Sequence, residues 1–191
     1  MIRVAIVGDI GSGKTFISNL FKYPVFNADA EVINIYKKNK NCFLKIKKEI
    51  PNHFSNFPLK KEELISSILK NKNNLKKISQ IVHPIVRKKL NLFLKKNHNK
   101  KIIILDIPLF FENKLNKKND VIIFIESKKE KIIEKLRKRK NYNDKLIKQF
   151  KKIQISLKEK RKKSNFVIKN NYKIDDVKKQ VNRIIKKITT I

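Results

Sequence analysis

Apolar residues come first as short runs and then as helical stripes. Val4-Ala5-Ile6-Val7 is a continuous apolar run, long enough for a buried strand and too short for a helix. After a glycine-rich stretch, Lys14 to Lys22 places Phe16, Ile17, Leu20 and Phe21 at i, i+1, i+4 and i+5, the stripe of an amphipathic helix. Tyr23-Pro24-Val25-Phe26 predicts a second short strand, ending at Asn27-Ala28-Asp29-Ala30. Residues 30 to about 97 are helical by pattern, with a break around Pro51-Asn52-His53 and Phe57-Pro58. One stripe there is Leu64, Ile65, Ile68 and Leu69; another is Ile78, Ile81, Val82, Ile85, Val86 and Leu90. Pro84 predicts that the second of these helices starts or kinks at His83.

Two further buried strands follow, Lys101 to Pro108 and Asp120 to Ile125. Between Glu126 and Lys140 a charged helix has Ile132, Ile133 and Leu136 as its apolar face, and residues 144 to 164 predict one helix of mixed character. Phe166-Val167-Ile168 predicts a last strand, and Ile174 to Ile188 a closing helix with Asp175 and Asp176 in its first turn, where the dipole favours acids. Strands alternating with helices predict a doubly wound α/β fold with a parallel sheet. At 191 residues, with no repeat or separate linker, the chain reads as one domain, 1–191.

The chemistry is concentrated where the glycines are. The chain has only three, Gly8, Gly11 and Gly13, all within six residues. The segment Gly8-Asp9-Ile10-Gly11-Ser12-Gly13-Lys14-Thr15 fits G-x-x-x-x-G-K-[ST] in full, after a strand and before a helix. Backbone N–H groups of such a loop wrap phosphates, and the helix N-terminus adds the positive end of its dipole. Lys14 is placed to reach the β- and γ-phosphates of ATP, and the Thr15 hydroxyl to ligate Mg²⁺. Asp106 ends a buried strand, the position of a Walker B acid. Asp29 also follows a strand end, where doubly wound sheets bind ligands; it reads equally as a helix N-cap. His83 and Arg87 are i and i+4 on one helix face, either a cationic grip for an anionic acceptor or two surface residues. Arg137 and Arg139 precede Asn141-Tyr142-Asn143, a pattern that fits either a lid over the transferring phosphates, spanning approximately 137–164, or a solvated basic face.

Composition excludes more than it assigns. No apolar run approaches the ~20 residues of a membrane span, Cys42 is the only cysteine, so no intramolecular disulfide forms, and a cytoplasmic protein is expected. The net charge of +33 by itself points to nucleic acid, but it comes from 43 Lys against 6 Arg spread over the chain. Lys, Asn and Ile together are what AT-rich coding produces, and no specific nucleic-acid partner is expected.

Taken together, these segments resemble the dephospho-CoA kinase family over nearly the whole chain. The loop Gly8 to Thr15 resembles its GGIGSGK[ST] segment, Asn27-Ala28-Asp29 its DAD motif, and His83-Pro84-Ile85-Val86-Arg87 its HP-(I/L)-x-R segment. Leu105-Asp106-Ile107-Pro108-Leu109-Phe110-Phe111-Glu112 is similar to its LD-x-PLLFE strand end, and Arg139, Gln154 and Val167-Ile168-Lys169-Asn170 fall on further family positions. The resemblance implies a P-loop three-layer fold with a central parallel sheet, a helical acceptor-binding insertion at approximately 30–97 and a lid. It implies transfer of the γ-phosphate of ATP, with Mg²⁺, to the ribose 3′-hydroxyl of dephospho-CoA, the last step of coenzyme A biosynthesis. In that reading Asp29 is the base, and Lys14 and Arg139 act on the phosphates. Gly8, Gly11, Ser12, Gly13, Lys14, Thr15, Phe16 and Asn170 hold ATP, with Asn170 beside the adenine. His83, Arg87, Glu112 and Asp29 hold the acceptor, and Thr15 and Asp106 serve the metal. A monomer is expected.

Four positions depart from the family pattern: Asn27 for the first Asp of its DAD motif, Asp9 for Gly, Phe16 for a small hydroxyl residue, and Lys135 for a lid arginine. The alternatives are another small-molecule P-loop kinase, a nucleic-acid-dependent P-loop ATPase, and an inactive scaffold.

Overall fold

A computed structural model describes residues 1–139 and 142–190. Lys140 and Asn141, within the expected charged helix and lid region, lie outside the described residues, as does Ile191. The chain divides into two compact units. One comprises Met1–Asn27 and Asn97–Ile191, the other Ala28–Lys96.

The first unit is built on a five-stranded parallel sheet among the described residues. Its strands are β1 (Ile2–Gly8), β2 (Val25–Asn27), β3 (Ile102–Asp106), β4 (Val121–Ser127) and β5 (Phe166–Asn170), in the order β2-β3-β1-β4-β5. β3 and β1 are central, and their apolar runs follow from burial on both faces. Val4, Ala5, Ile6, Ile102, Ile103, Ile104 and Leu105 are fully buried. The register pairs Val4 with Ile104 and with Val121, and Asn27 with Asp106. The carboxyl ends of β1, β2 and β3 therefore lie side by side, because all three strands run the same way.

Helices α1 (Lys14–Leu20) and α9 (Ile174–Thr189) cover one sheet face. Ile17 and Phe21 join Val177, Val181, Ile184 and Ile188 against Val4, Ile6, Ile104, Ile123 and Ile168. Phe16, expected on the same stripe, is 46% exposed. It lies at the edge of the stripe, and Ile17 and Phe21 suffice to seat a helix of seven residues. Helices α6 (Lys129–Arg137), α7 (Asp144–Lys152) and α8 (Leu157–Lys162) complete this unit. Ile132 and Leu136 are buried, whereas Ile133 is exposed and leaves the expected face.

The single helix expected over 144 to 164 is two helices. Asn143 caps α7 by accepting from the Leu146 N–H, and Ser156 caps α8 by accepting from the Glu159 N–H. Between them, the Ile155 N–H donates to Glu112 Oε1 at 3.0 Å. That distant carboxylate satisfies backbone the helix would otherwise have claimed.

The second unit is helical: α2 (Ala28–Lys38), α3 (Lys40–Glu49), α4 (Lys61–Lys70) and α5 (Asn73–Lys96). Ile35, Cys42, Phe43, Ile46, Leu64, Ile68, Ile78, Val82 and Leu90 are among its buried side chains. Asn39 caps α3 by accepting from the Cys42 N–H at 2.9 Å. Pro84 lies inside α5, which neither starts nor stops there. The stripe of Ile78, Val82 and Leu90 holds the helix together across the one N–H that proline removes. No helix among the described residues is long and apolar enough to cross a membrane.

Candidate active site

The glycine-rich loop joins β1 to α1, and its backbone conformation explains its composition. Gly11 has φ +84° and Gly13, the N-cap of α1, has φ +90°, a region costly for any side chain. Space also forbids a Cβ at Gly13, which would stand 2.6 Å from Asn170 Nδ2. Ser12 is buried between them. Its carbonyl accepts from Asn170 Nδ2 at 2.8 Å and from Ser127 Oγ at 3.0 Å. The Gly11 carbonyl lies 3.5 Å from the Tyr172 hydroxyl. Lys14 folds back over the loop, its Nζ donating to the Asp9 carbonyl at 2.8 Å and lying 3.4 Å from that of Gly8.

Asp9 replaces the expected glycine without leaving a bare charge facing the loop. Its Oδ1 accepts from the Ile10 N–H at 2.7 Å, and its Oδ2 is 3.4 Å from Lys151 Nζ on α7.

Asp106, at the end of β3, is the centre of the polar cluster. It is almost fully buried, and its Oδ2 accepts from Thr15 Oγ1 at 2.6 Å and from Asn27 Nδ2 at 2.7 Å. Burial pushes its carboxyl above the usual carboxylate range, against the opposing pull of the Thr15 hydroxyl, the Lys14 ammonium and the Asn27 amide. Asn27 accordingly makes sense beside it. An amide donates where a second carboxylate would place like charge against like charge.

The Thr15 hydroxyl and the Asp106 carboxylate are hard oxygen donors in contact, and this donor set fits Mg²⁺. Among the described residues no group of three or more His, Cys, Asp or Glu could hold a metal by itself.

Of the other expected residues in this unit, Asn170 is buried at the end of β5. Its Nδ2 is on Ser12 and its Oδ1 accepts from the Tyr172 N–H at 3.0 Å. Glu112 is committed to a buried network. Its Oε1 is 3.1 Å from Lys160 Nζ, which also donates to Gln154 Oε1 at 2.9 Å. The Glu112 Oε2 is buried with no hydrogen-bond partner among the described residues. Arg139 is exposed in the turn after α6. Lys135 stands 5.5 Å from the Tyr172 ring centroid, a cation–π contact next to the loop.

In the helical unit, Asp29 is the second residue of α2 and exposed. The helix begins at Ala28 and Asp29 lies in its first turn, where the dipole favours acids. His83 and Arg87 lie one turn apart on α5, His83 half-buried and Arg87 exposed. Burial first, and then the neighbouring Arg87 charge, hold His83 below its ordinary value. Both effects favour the neutral imidazole, so the cationic character of the pair rests mainly on Arg87.

Three of the arrangements here were not readable from sequence: the Asn27–Asp106 contact, the Asn170–Ser12 contact and the Glu112–Lys160–Gln154 network. Ser127 carried no sequence signal at all, being one serine at a strand end.

The family model for dephospho-CoA kinase matches residues 2–176. A protein named dephospho-CoA kinase from Wolbachia sp. subsp. Brugia malayi (strain TRS) is 32% identical over 187 residues, covering 95% of each chain. Among solved structures, TT1252 from Thermus thermophilus aligns with a TM-score of 0.75 at 24% identity over 97% of both chains. A dephospho-CoA kinase from Campylobacter jejuni aligns with a TM-score of 0.66 at 22% identity, over 97% of this chain and 96% of its own. At these identities the structural likenesses carry the fold: a parallel sheet flanked by helices, as in P-loop kinases.

Proposed function

This chain belongs to the dephospho-CoA kinase family, and from that premise we propose which of its residues carry the transfer. The chain is a kinase that phosphorylates dephospho-CoA from ATP, in coenzyme A biosynthesis. The observation that best supports the chemistry is the hydrogen bond from Thr15 to the buried Asp106 carboxylate at the foot of a fully formed phosphate loop.

The β- and γ-phosphates lie on the loop from Gly8 to Thr15, under the N-terminus of α1. Lys14, parked on the Asp9 carbonyl, swings its ammonium to the phosphates and meets the negative charge that develops during transfer. Thr15 and Asp106 would hold Mg²⁺, which would supply charge neutralisation at the phosphate oxygens. Arg139, exposed after α6, adds a fork of donors to the same phosphates. In this reading a lid in the region of approximately 137–164 excludes water, so that the acceptor and not water takes the phosphoryl group.

The acceptor is the ribose 3′-hydroxyl of dephospho-CoA. Asp29 accepts or orients its proton, and the role suits an exposed carboxylate two residues beyond Asn27. Arg87 contributes the charge that pairs with an anionic group of the acceptor, and His83 contributes a neutral hydrogen-bonding group. Asn27 cannot serve as a second base, since an amide does not take the proton and its Nδ2 is on Asp106.

The test is Asp29→Asn. Turnover should fall about 10²-fold or more, with ATP binding largely kept. Near-normal turnover in that variant would remove Asp29 from the role of base.

A further inference from the structure

A P-loop binds phosphate with its peptide N–H groups, so something must turn the peptides of the loop the right way. In a trans peptide the C=O of one residue and the N–H of the next point in opposite directions. Fixing the Ser12 carbonyl therefore fixes the direction of the Gly13 N–H, at the N-cap of α1. Two side chains from two different strand ends do this. Asn170 Nδ2, at the end of β5, donates to the Ser12 carbonyl at 2.8 Å. Ser127 Oγ, at the end of β4, donates to the same oxygen at 3.0 Å.

The local composition follows from this clamp. Gly13 has no room for a side chain because the Asn170 amide occupies the space, with Nδ2 2.6 Å from where a Cβ would be. The Asn170 amide is in turn held by its other end, since its Oδ1 accepts from the Tyr172 N–H at 3.0 Å. Asn170 is only 5% exposed. Both ends of the amide are thus engaged inside the protein, one of them on the loop itself.

We infer that Asn170 and Ser127 are positioning residues that clamp the Ser12 carbonyl and thereby aim the Gly13 N–H at the triphosphate, and that Asn170 acts on the phosphates through the loop and not on adenine. The inference rests on the reading that this loop holds the triphosphate of ATP. The two roles predict different ligand dependence. A clamp affects every ligand with a triphosphate, whatever its base, whereas an adenine contact affects only ligands with adenine.

The experiment is calorimetric titration of the wild-type chain, Asn170→Ala and Ser127→Ala with ATP, with inorganic tripolyphosphate and with adenosine. Asn170→Ala should weaken ATP and tripolyphosphate by the same factor, about tenfold, and leave adenosine unchanged. Ser127→Ala, which leaves Asn170 in place, should weaken both by about threefold. KM for dephospho-CoA should stay near that of the wild type in both. Weakened ATP with unchanged tripolyphosphate would overturn the inference in favour of a base contact. Unchanged affinity for both would overturn it outright. Should Asn170→Ala not fold, the Ser127→Ala titrations make the same comparison. A wild-type chain that binds neither ATP nor tripolyphosphate would instead sink the underlying kinase reading.

Discussion

The two units meet their chemical tasks in opposite ways. In the α/β unit the polar centre of the site is tied within the fold: buried Asp106 by Thr15 and Asn27, buried Ser12 by Asn170 and Ser127, and half-buried Lys14 by the Asp9 carbonyl, with Arg139 exposed. In the helical unit the proposed acceptor residues Asp29 and Arg87 are exposed on helix surfaces, and His83 is half-buried. The difference follows from the partners. A triphosphate is the same in every cycle and rewards a rigid nest of donors, because prearranged dipoles need no reorganisation during transfer. An acceptor gripped by long side chains on helices is held by charge, and such a grip tolerates substitution more readily.

This contrast can be broken most severely at Lys14. Lys14→Ala should lower kcat about 10³-fold, since a charged donor to the transferring phosphoryl group is removed from a prearranged site. Unchanged steady-state kinetics in that variant would break the assignment of the loop itself. On the acceptor side the expected effect is smaller and lands elsewhere. Arg87→Ala should raise KM for dephospho-CoA about tenfold with little change in KM for ATP, as loss of one charge-assisted contact to an anion implies. An equal rise in both would show that the division of labour between the units is wrong.

The smallest effect concerns His83. Its folded-state value is lowered, so the unfolded chain binds the proton more readily. The stability that His83 contributes is fully present above its ordinary value of 6.5 and is lost as the pH falls through the lowered folded value. His83→Gln should therefore show a smaller drop in Tm than the wild type between pH 7.5 and pH 5. Identical drops in thermal melts at the two pH values would show that His83 is not held neutral.

How much was legible in the sequence also divides along these lines. The phosphate loop could be read because positive φ and close approach confine glycine, and a chain with three glycines has none elsewhere to confuse the signal. The central strands could be read because burial on both faces demands unbroken apolar runs. Asp106 could be read because it ends such a run. What could not be read depends on partners far away in the chain. The break at 153–156 carries a local signal in Ser156, three residues before Glu159, but the Glu112 carboxylate that takes the Ile155 N–H is distant in the chain. Asn27 reads as a lost acid until its amide is seen donating to Asp106. Asn170 reads as a nucleotide residue, and its tie to the Ser12 carbonyl cannot be seen from sequence. Phe16 and Ile133 show the limit of periodicity, which ranks the faces of a helix but does not say how wide the buried stripe is.

The lysine-rich surface does not contradict the enzyme reading. Glu134 is pulled down to about 2 by hydrogen bonds from Lys138 and Lys131, which shows how scarce acids are outnumbered locally. Such a field draws anionic nucleotides toward the protein in general, and salt should weaken that attraction.

The central claim is that this chain transfers the γ-phosphate of ATP to dephospho-CoA, and the most direct measurement is ADP release by the purified protein with Mg·ATP. Dephospho-CoA, AMP, shikimate and RNA would be offered separately. The account predicts turnover with dephospho-CoA alone, with a product carrying the new phosphate on the ribose 3′-oxygen. No response to dephospho-CoA, with stimulation by one of the others, would contradict it.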